Sequence, residues 1–256
     1  MNHSLSVRCA SREIRCDALL RYLSPMQVIL TNDDGIEAPG LQALEQACQH
    51  WCQVVVVAPD RCYSSMSHHV QTALDIPVKE IANGRFQVAG SPADCARLAR
   101  FVLAPEAQWL ISGINRGGNL GMDTCYSGTV AAAREAALLG LPAIAISHYV
   151  ARGREVDWAI ASMRAAGVIH QLFSKPLGPG EFWNVNLPHP DEGALEPELV
   201  MCSLDPSPLP VSFRKVGDGY SYTGNYQARA RLPQHDVAEC FGGRITATRL
   251  SATGGF

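Results

Sequence analysis

The sequence predicts an α/β fold: a doubly wound, mostly parallel sheet followed by a smaller β-rich C-terminal extension. Three observations carry this prediction. Short apolar runs such as "QVILT" (27–31) and "QVVVVAPD" (53–60) leave no face for solvent, as strands covered on both sides require. Helical spacings alternate with those runs from Met26 onward, and strand, helix, strand in succession implies right-handed crossovers. Past Leu187 the pattern changes, with prolines at 188, 190, 197, 206, 208 and 210 that preclude a long helix.

The elements follow in order. After the first strand, Leu41, Leu44, Cys48 and Trp51 recur at helical spacing between polar Gln42, Glu45, Gln46 and Gln49. The four valines of 54–57 make the second strand. Between Val70 and Val88, the dipeptide Asn83-Gly84 splits two extended runs and predicts a hairpin. "SPADCARLARFVL" (91–103) opens a helix, with Ser91 as N-cap, Pro92 at the first helical position and Asp94 in the first turn. "QWLISG" (108–113) is a strand. "SGTVAAAREAALLG" (127–140) is an alanine-rich helix that ends at Gly140, with Pro142 beyond it. "PAIAIS" (142–147), a helix over 156–173 and "FWNVNL" (182–187) complete the alternation. In the extension, "VSFRKVGDGYSYTGNY" and "RITATRL" read as twisted strands and loops.

At 256 residues the chain can bury one large core, or a core with an appendage. A formal net charge of -3, with 47% hydrophobic and 18% charged residues, excludes a nucleic-acid binder by charge and a disordered acidic tail. No window reaches the ~20 apolar residues of a membrane span, so no membrane partner is expected. Nine cysteines without a C-x-x-C pair or zinc spacing read as reduced thiols of a cytoplasmic protein. Residues 1–25 lack the apolar core of a secretory signal and are expected to be a loose N-terminal extension.

In open α/β sheets ligands bind beyond the carboxyl ends of the strands. Three such ends carry polar oxygens here: Asn32-Asp33-Asp34-Gly35, then Asp60-Arg61 with Ser64 after it, and Ser112-Gly113-Ile114-Asn115. Two carboxylates ~4–5 Å apart repel by roughly 3–4 kcal/mol at an effective dielectric near 20. A divalent cation removes that cost, and oxygen-only donors favour Mg²⁺ or Mn²⁺ over zinc. Adjacent side chains on a strand point apart, so both aspartates reach one ion only if the chain turns, as Gly35 permits. Singly, Ser64 reads as well as a helix cap, and Asn115 as a turn residue; their joint position at successive strand ends makes the case.

The long loop "NRGGNLGMDTCYSGT" (115–129) delivers Ser127, Gly128 and Thr129 to a helix start, an anion site by its free N–H groups and dipole. A cation beside an anion cradle points to a phosphate ester. The dinucleotide fingerprint G-x-G-x-x-G and the G-x-S-x-G elbow are both absent. His68 is a secondary candidate for acid–base work, although adjacent histidines in a loop are commonly exposed polar residues.

Taken together, "TNDDGIEAPG", "VVAPDR" with Ser64, "GSPADC", "SGINRGGNLGMDTCYSGTVAAAREAALLGLPAIAIS" and "WNVNLP" resemble the SurE family of metal-dependent 5'-nucleotidases, or survival proteins. The likeness is nearly continuous over 26–147. Ser91 stands where the family usually has threonine, and the tail from His235 matches only loosely. The resemblance implies a Rossmann-like catalytic domain over 26–187 and an oligomerisation extension over 188–256, giving a homodimer or homotetramer. It implies Asp33, Asp34, Ser64 and Asn115 as metal ligands, and hydrolysis of nucleoside 5'-monophosphates, with 3'-nucleotides and short polyphosphate as further substrates. Asn119 with Ser127, Gly128 and Thr129 is then expected to hold the phosphate, and Asp33 or Asp34 to handle a proton. The rival from another class is a regulatory protein that binds a mononucleotide without turning it over.

Overall fold

Runs of β-branched residues build the centre of the molecule, whose computed structural model describes residues 26–151, 153–189 and 195–253. β1 (Gln27–Thr31) pairs in parallel with β2 (Gln53–Pro59) on one side and β5 (Trp109–Arg116) on the other. β6 (Ala143–His148) and β7 (Glu181–Leu187) continue the parallel set beyond β5. β4 (Arg85–Val88) lies parallel to β2. β3 (Val78–Ala82) closes that edge antiparallel through Asn83-Gly84, where Gly84 takes φ +69°.

Alternation along β1 divides the core. Val28 and Leu30 pack with Leu41 and Leu44 of α1 (Pro39–Cys48) and with Ile169 and Leu172 of α4 (Trp158–Phe173). Ile29 packs with Cys95 and Ala96 of α2 (Pro92–Leu98) and with Val130 and Ala133 of α3 (Gly128–Leu138). Helices therefore cover both faces, as the valine-rich strands require. The predicted Ser91 cap is a full capping box: Ser91 Oγ accepts from the Asp94 N–H at 3.1 Å, and an Asp94 oxygen accepts from the Ser91 N–H at 2.9 Å.

Beyond Leu187 the chain is β-rich, but it does not leave the sheet. β11 (Ile245–Ser251) adds antiparallel to β7, and β8 (Leu199–Met201) adds parallel to β11, giving nine strands in the order β3-β4-β2-β1-β5-β6-β7-β11-β8. The expected boundary near Leu187 is thus no break in the sheet. What stands apart is a hairpin, β9 (Phe213–Val216) with β10 (Gly219–Tyr222), which pairs with no other strand among the described residues. A short helix α5 (Asp236–Phe241) precedes β11. Residues 1–25, with Cys9 and Cys16, lie outside the described residues; the seven described cysteines form no disulfide. No helix among the described residues is long and apolar enough to cross a membrane.

Candidate active site

The strand order β2-β1-β5 sets three carboxyl ends side by side, and the chain turns sharply at each. After β1, Asn32 clamps its own turn: its Nδ2 donates to the Gly35 carbonyl at 2.9 Å and its Oδ1 accepts from the Gly35 N–H at 3.2 Å. Gly35 takes φ +105° with the Arg61 backbone close behind it, a place for glycine alone. The Ile36 N–H donates to the Pro59 carbonyl at 2.8 Å, and the Tyr63 N–H donates to the Asp33 carbonyl at 2.7 Å. The second loop is thereby laced to the first, with Ser64 one residue from the lacing point.

The third loop leaves β5 through an irregularity. Register against β6 shifts between Ser112 and Asn115, across the cis Gly113–Ile114 peptide. A Cβ on Gly113 would lie 2.3 Å from the Ile146 carbonyl oxygen, and one on Gly40 would lie 1.9 Å from the Ile114 oxygen. Only glycines let α1 and β6 close on this bulge, which re-aims Asn115. The Asn115 Nδ2 donates to the Gly117 carbonyl at 2.8 Å, so its side-chain oxygen is the atom left for a ligand. The next residue, Arg116, lies near enough to draw the Asp34 carboxyl down, while its Nη2 donates to Glu155 Oε2 at 3.0 Å.

Asp33, Asp34, Ser64 and Asn115 consequently line one cleft of about 690 Å³, as expected from their places at successive strand ends. Asn119 and Ser127 line it too. Asp33 is buried, Asp34 and Asn115 are half-buried, and Ser64 is exposed. Burial pushes the Asp33 carboxyl from 3.8 up to about 6; the Thr129 hydroxyl draws it back down, and the Asp34 charge raises it. Burial also raises Asp34, against the lowering by the Arg116 N–H and guanidinium.

The start of α3 holds a different anion from the one anticipated. Thr129 Oγ1 donates to Asp33 Oδ1 at 2.5 Å, and a Cβ on Gly128 would lie 2.8 Å from the Asp33 Cβ and 2.9 Å from its Oδ2. Ser127 caps the helix, its Oγ accepting from the Val130 N–H at 3.1 Å. The positive end of α3 therefore faces the Asp33 carboxylate. Gly128 and Thr129 sit behind that aspartate as its supports, with the Thr129 hydroxyl committed to it.

Asn119 is fixed by partners that its own sequence neighbourhood does not reveal. Its N–H donates to Asn186 Oδ1 at 2.8 Å and its Nδ2 to Ser147 Oγ at 2.7 Å; its carbonyl accepts from Asn184 Nδ2 at 2.8 Å and Asn186 Nδ2 at 3.0 Å. The alternation in "WNVNL" was the available signal, since two asparagines on one face of a buried strand must find partners. Arg116 was also missed, although it directly follows Asn115 within the same motif. His68 goes elsewhere: its Nε2 lies 2.7 Å from Glu135 Oε2 on α3, and Arg97 reaches the other oxygen of Glu135 at 3.3 Å. It anchors the Ser64 loop, together with the Ser67 Oγ bond to the Cys125 carbonyl at 2.8 Å.

The donor set fits a hard dication. Among the described residues no group of three or more His, Cys, Asp or Glu side chains gathers, so any ion here would rest on two carboxylates plus neutral serine and asparagine oxygens. That composition suits Mg²⁺ or Mn²⁺ and is poor for zinc. A carboxyl held near 6 by burial beside a second carboxylate is the imbalance that a cation would relieve.

Comparison with known proteins agrees with this geometry. A family model described as "Survival protein SurE" matches residues 28–204. A Synechocystis sp. relative is 47% identical over 225 residues, covering 88% of this chain and 99% of its own length. The 5'-nucleotidase SurE of Myxococcus xanthus is 45% identical over 176 residues, covering 68% of this chain and 65% of that protein. The crystal structure of the SurE protein from Aquifex aeolicus superposes with a TM-score of 0.80 at 27% identity, covering 88% of this chain and 93% of that one. A match that takes in all three strand ends, the loop between them and the sheet that aligns them leaves one assignment: the chain belongs to the SurE family.

Proposed function

We propose that this chain is a 5'-nucleotidase that hydrolyses nucleoside 5'-monophosphates to nucleoside and phosphate, with a Mg²⁺ or Mn²⁺ ion held by Asp33, Asp34, Ser64 and Asn115. The observation that carries it is the pairing of a buried and a half-buried carboxylate in one cleft with a guanidinium, Arg116. The names of the relatives support the same reading.

The chemistry that such an ion supplies when bound is electrophilic: it draws charge from a phosphoryl oxygen. The chain's own residues do the rest. Thr129 orients the Asp33 carboxylate and holds it at the head of α3. Arg116 brings positive charge to a phosphate dianion, and the Ser127 hydroxyl and Asn119 Nδ2 each keep one hydrogen for its oxygens. One of the two aspartates, Asp33 or Asp34, handles a proton of the attacking water. The same site is proposed to accept 3'-nucleotides and short polyphosphate, and the chain to work in the cytoplasm as a homodimer or homotetramer.

Release of inorganic phosphate from 5'-AMP tests the reading. With Mn²⁺ the wild type is expected to turn over, EDTA to abolish it, and Asp34→Asn to lower it at least 100-fold while the circular-dichroism spectrum stays the same. A chain that binds 5'-AMP and releases no phosphate with any dication would be a sensor, and the enzyme reading would fall.

A further inference from the structure

Part of the cleft wall comes from the C-terminal hairpin and the residues leading into it, and this part has no role in the phosphate chemistry. Leu209, Val211, Phe213 and Tyr222 form it. Val211, Phe213 and Tyr222 are 62%, 61% and 59% exposed, and the two rings meet edge to face at 5.6 Å. Large apolar groups clustered on a two-stranded ribbon that pairs with no other strand among the described residues are costly in water, and such a ribbon is marginal by itself. The Thr223 N–H donates to the Ser212 carbonyl at 2.8 Å and closes the ribbon, and past its end the Tyr226 hydroxyl donates to Asp123 Oδ2 at 2.8 Å, linking this segment to the loop that carries Asn119 and Ser127.

We propose that Phe213 and Tyr222, with Val211, seat the planar base of the nucleotide whose phosphate lies at Asp33 and Asp34. This rests on the phosphate-ester reading of the cleft and extends it to the leaving group. One continuous space of about 690 Å³ joins the polar and the aromatic walls, within the range of small-ligand sites. The aromatic wall offers ring faces, which a base covers by stacking, and no cation among the side chains named above, which a polyphosphate chain would need. The Tyr226 hydroxyl is already committed to Asp123. Recognition on this wall therefore runs through area of contact, and a purine gains more from it than a pyrimidine.

The test compares 5'-AMP with ribose 5-phosphate, which keeps the phosphate and sugar and lacks the base. Titration calorimetry with Ca²⁺ as the dication gives both affinities for the wild type, for Phe213→Leu and for Phe213→Ala/Tyr222→Ala, and a wild type that binds neither ligand overturns the proposal. The expected result is that the wild type prefers 5'-AMP, and that the ratio of the two affinities falls about tenfold in the double variant, equivalent to about 1.4 kcal/mol. Phe213→Leu, which keeps an apolar side chain and removes the ring, is expected to lower the ratio as well. A wild type that binds both ligands equally, or a ratio unmoved by the substitutions, overturns the proposal. An unmoved ratio with an altered molar mass by light scattering would assign the wall to a second copy of the chain instead. Because calorimetry reads binding without turnover, failure of the base seat is distinct from failure of phosphate release by the wild type with Mn²⁺.

Discussion

Asp33 carries the largest conflict between stability and function in the site. Its carboxyl is pushed from 3.8 up to about 6, with burial first among the causes. A carboxyl raised in the folded state favours the protonated fold. Its contribution is fully present below about pH 4 and is lost as pH rises through 6. A rise of that size corresponds to about 3 kcal/mol. In EDTA, urea unfolding of the wild type should therefore show stability falling by that order between pH 4 and pH 7. Asp33→Asn has no charge to desolvate, so its stability should stay flat across that window and exceed the wild type at pH 7. Parallel curves for the two proteins would mean that Asp33 is not held near neutrality. Thr129→Val removes the hydroxyl that lowers the Asp33 pKa, and should move the wild-type transition to higher pH.

Among the elements, α3 is the one whose placement decides the site. A methyl on Gly128 would sit 2.8 Å from the Asp33 Cβ, and both groups are buried, so neither has room to yield. Gly128→Ala should displace the carboxylate and lower kcat/KM for 5'-AMP at least tenfold, at a stability cost of about 1–3 kcal/mol. Gly167, exposed in α4 with nothing within 4 Å of its Cβ position, is the contrast: Gly167→Ala should raise stability by about 0.5–1 kcal/mol and leave turnover unchanged. Steady-state kinetics beside thermal unfolding separates the two. What the sequence made legible lies at this scale and is local. The valine run of β2, the Ser91-Pro92-Asp94 cap and the Asn83-Gly84 turn each declare themselves within a few residues, and the strand ends placed Asp33, Asp34, Ser64 and Asn115 in one cleft. Pairing over long separations left no such mark. Nothing near Ile245 says that its strand will lie against β7, and nothing near Thr129 says that its hydroxyl belongs to an aspartate 96 positions away.

On the scale of the whole molecule, the residues after β7 return to hold the loop that forms the cleft. Asp236 is fully buried; its carboxylate accepts from the Gly121 N–H at 2.8 Å and also from the Asp205 N–H at 2.8 Å, joining the loop to two C-terminal segments. Nearby, Arg229 Nη1 donates to Asp123 Oδ2 at 2.6 Å and its Nη2 to the Leu120 carbonyl at 3.1 Å. The Arg229 side chain is 2% exposed and that of Asp123 15%, so the pair interacts with little solvent screening. Removing one partner of such a pair strands the other charge, which typically costs about 3–5 kcal/mol, whereas removing both is often close to neutral. Arg229→Met should therefore lower stability by that order, and Asp123→Asn in the same chain should recover most of it, giving a large positive coupling in a double-mutant cycle. The cycle also reads function. The single variant frees the 117–127 loop that carries Asn119 and Ser127, so KM for 5'-AMP should rise more than kcat falls. The double variant should regain stability while KM stays high, because the neutral pair no longer pins the loop through charge. Simple additivity of the two substitutions, or a KM that recovers together with stability, would show that the C-terminal segment only packs against the cleft and does not set its shape.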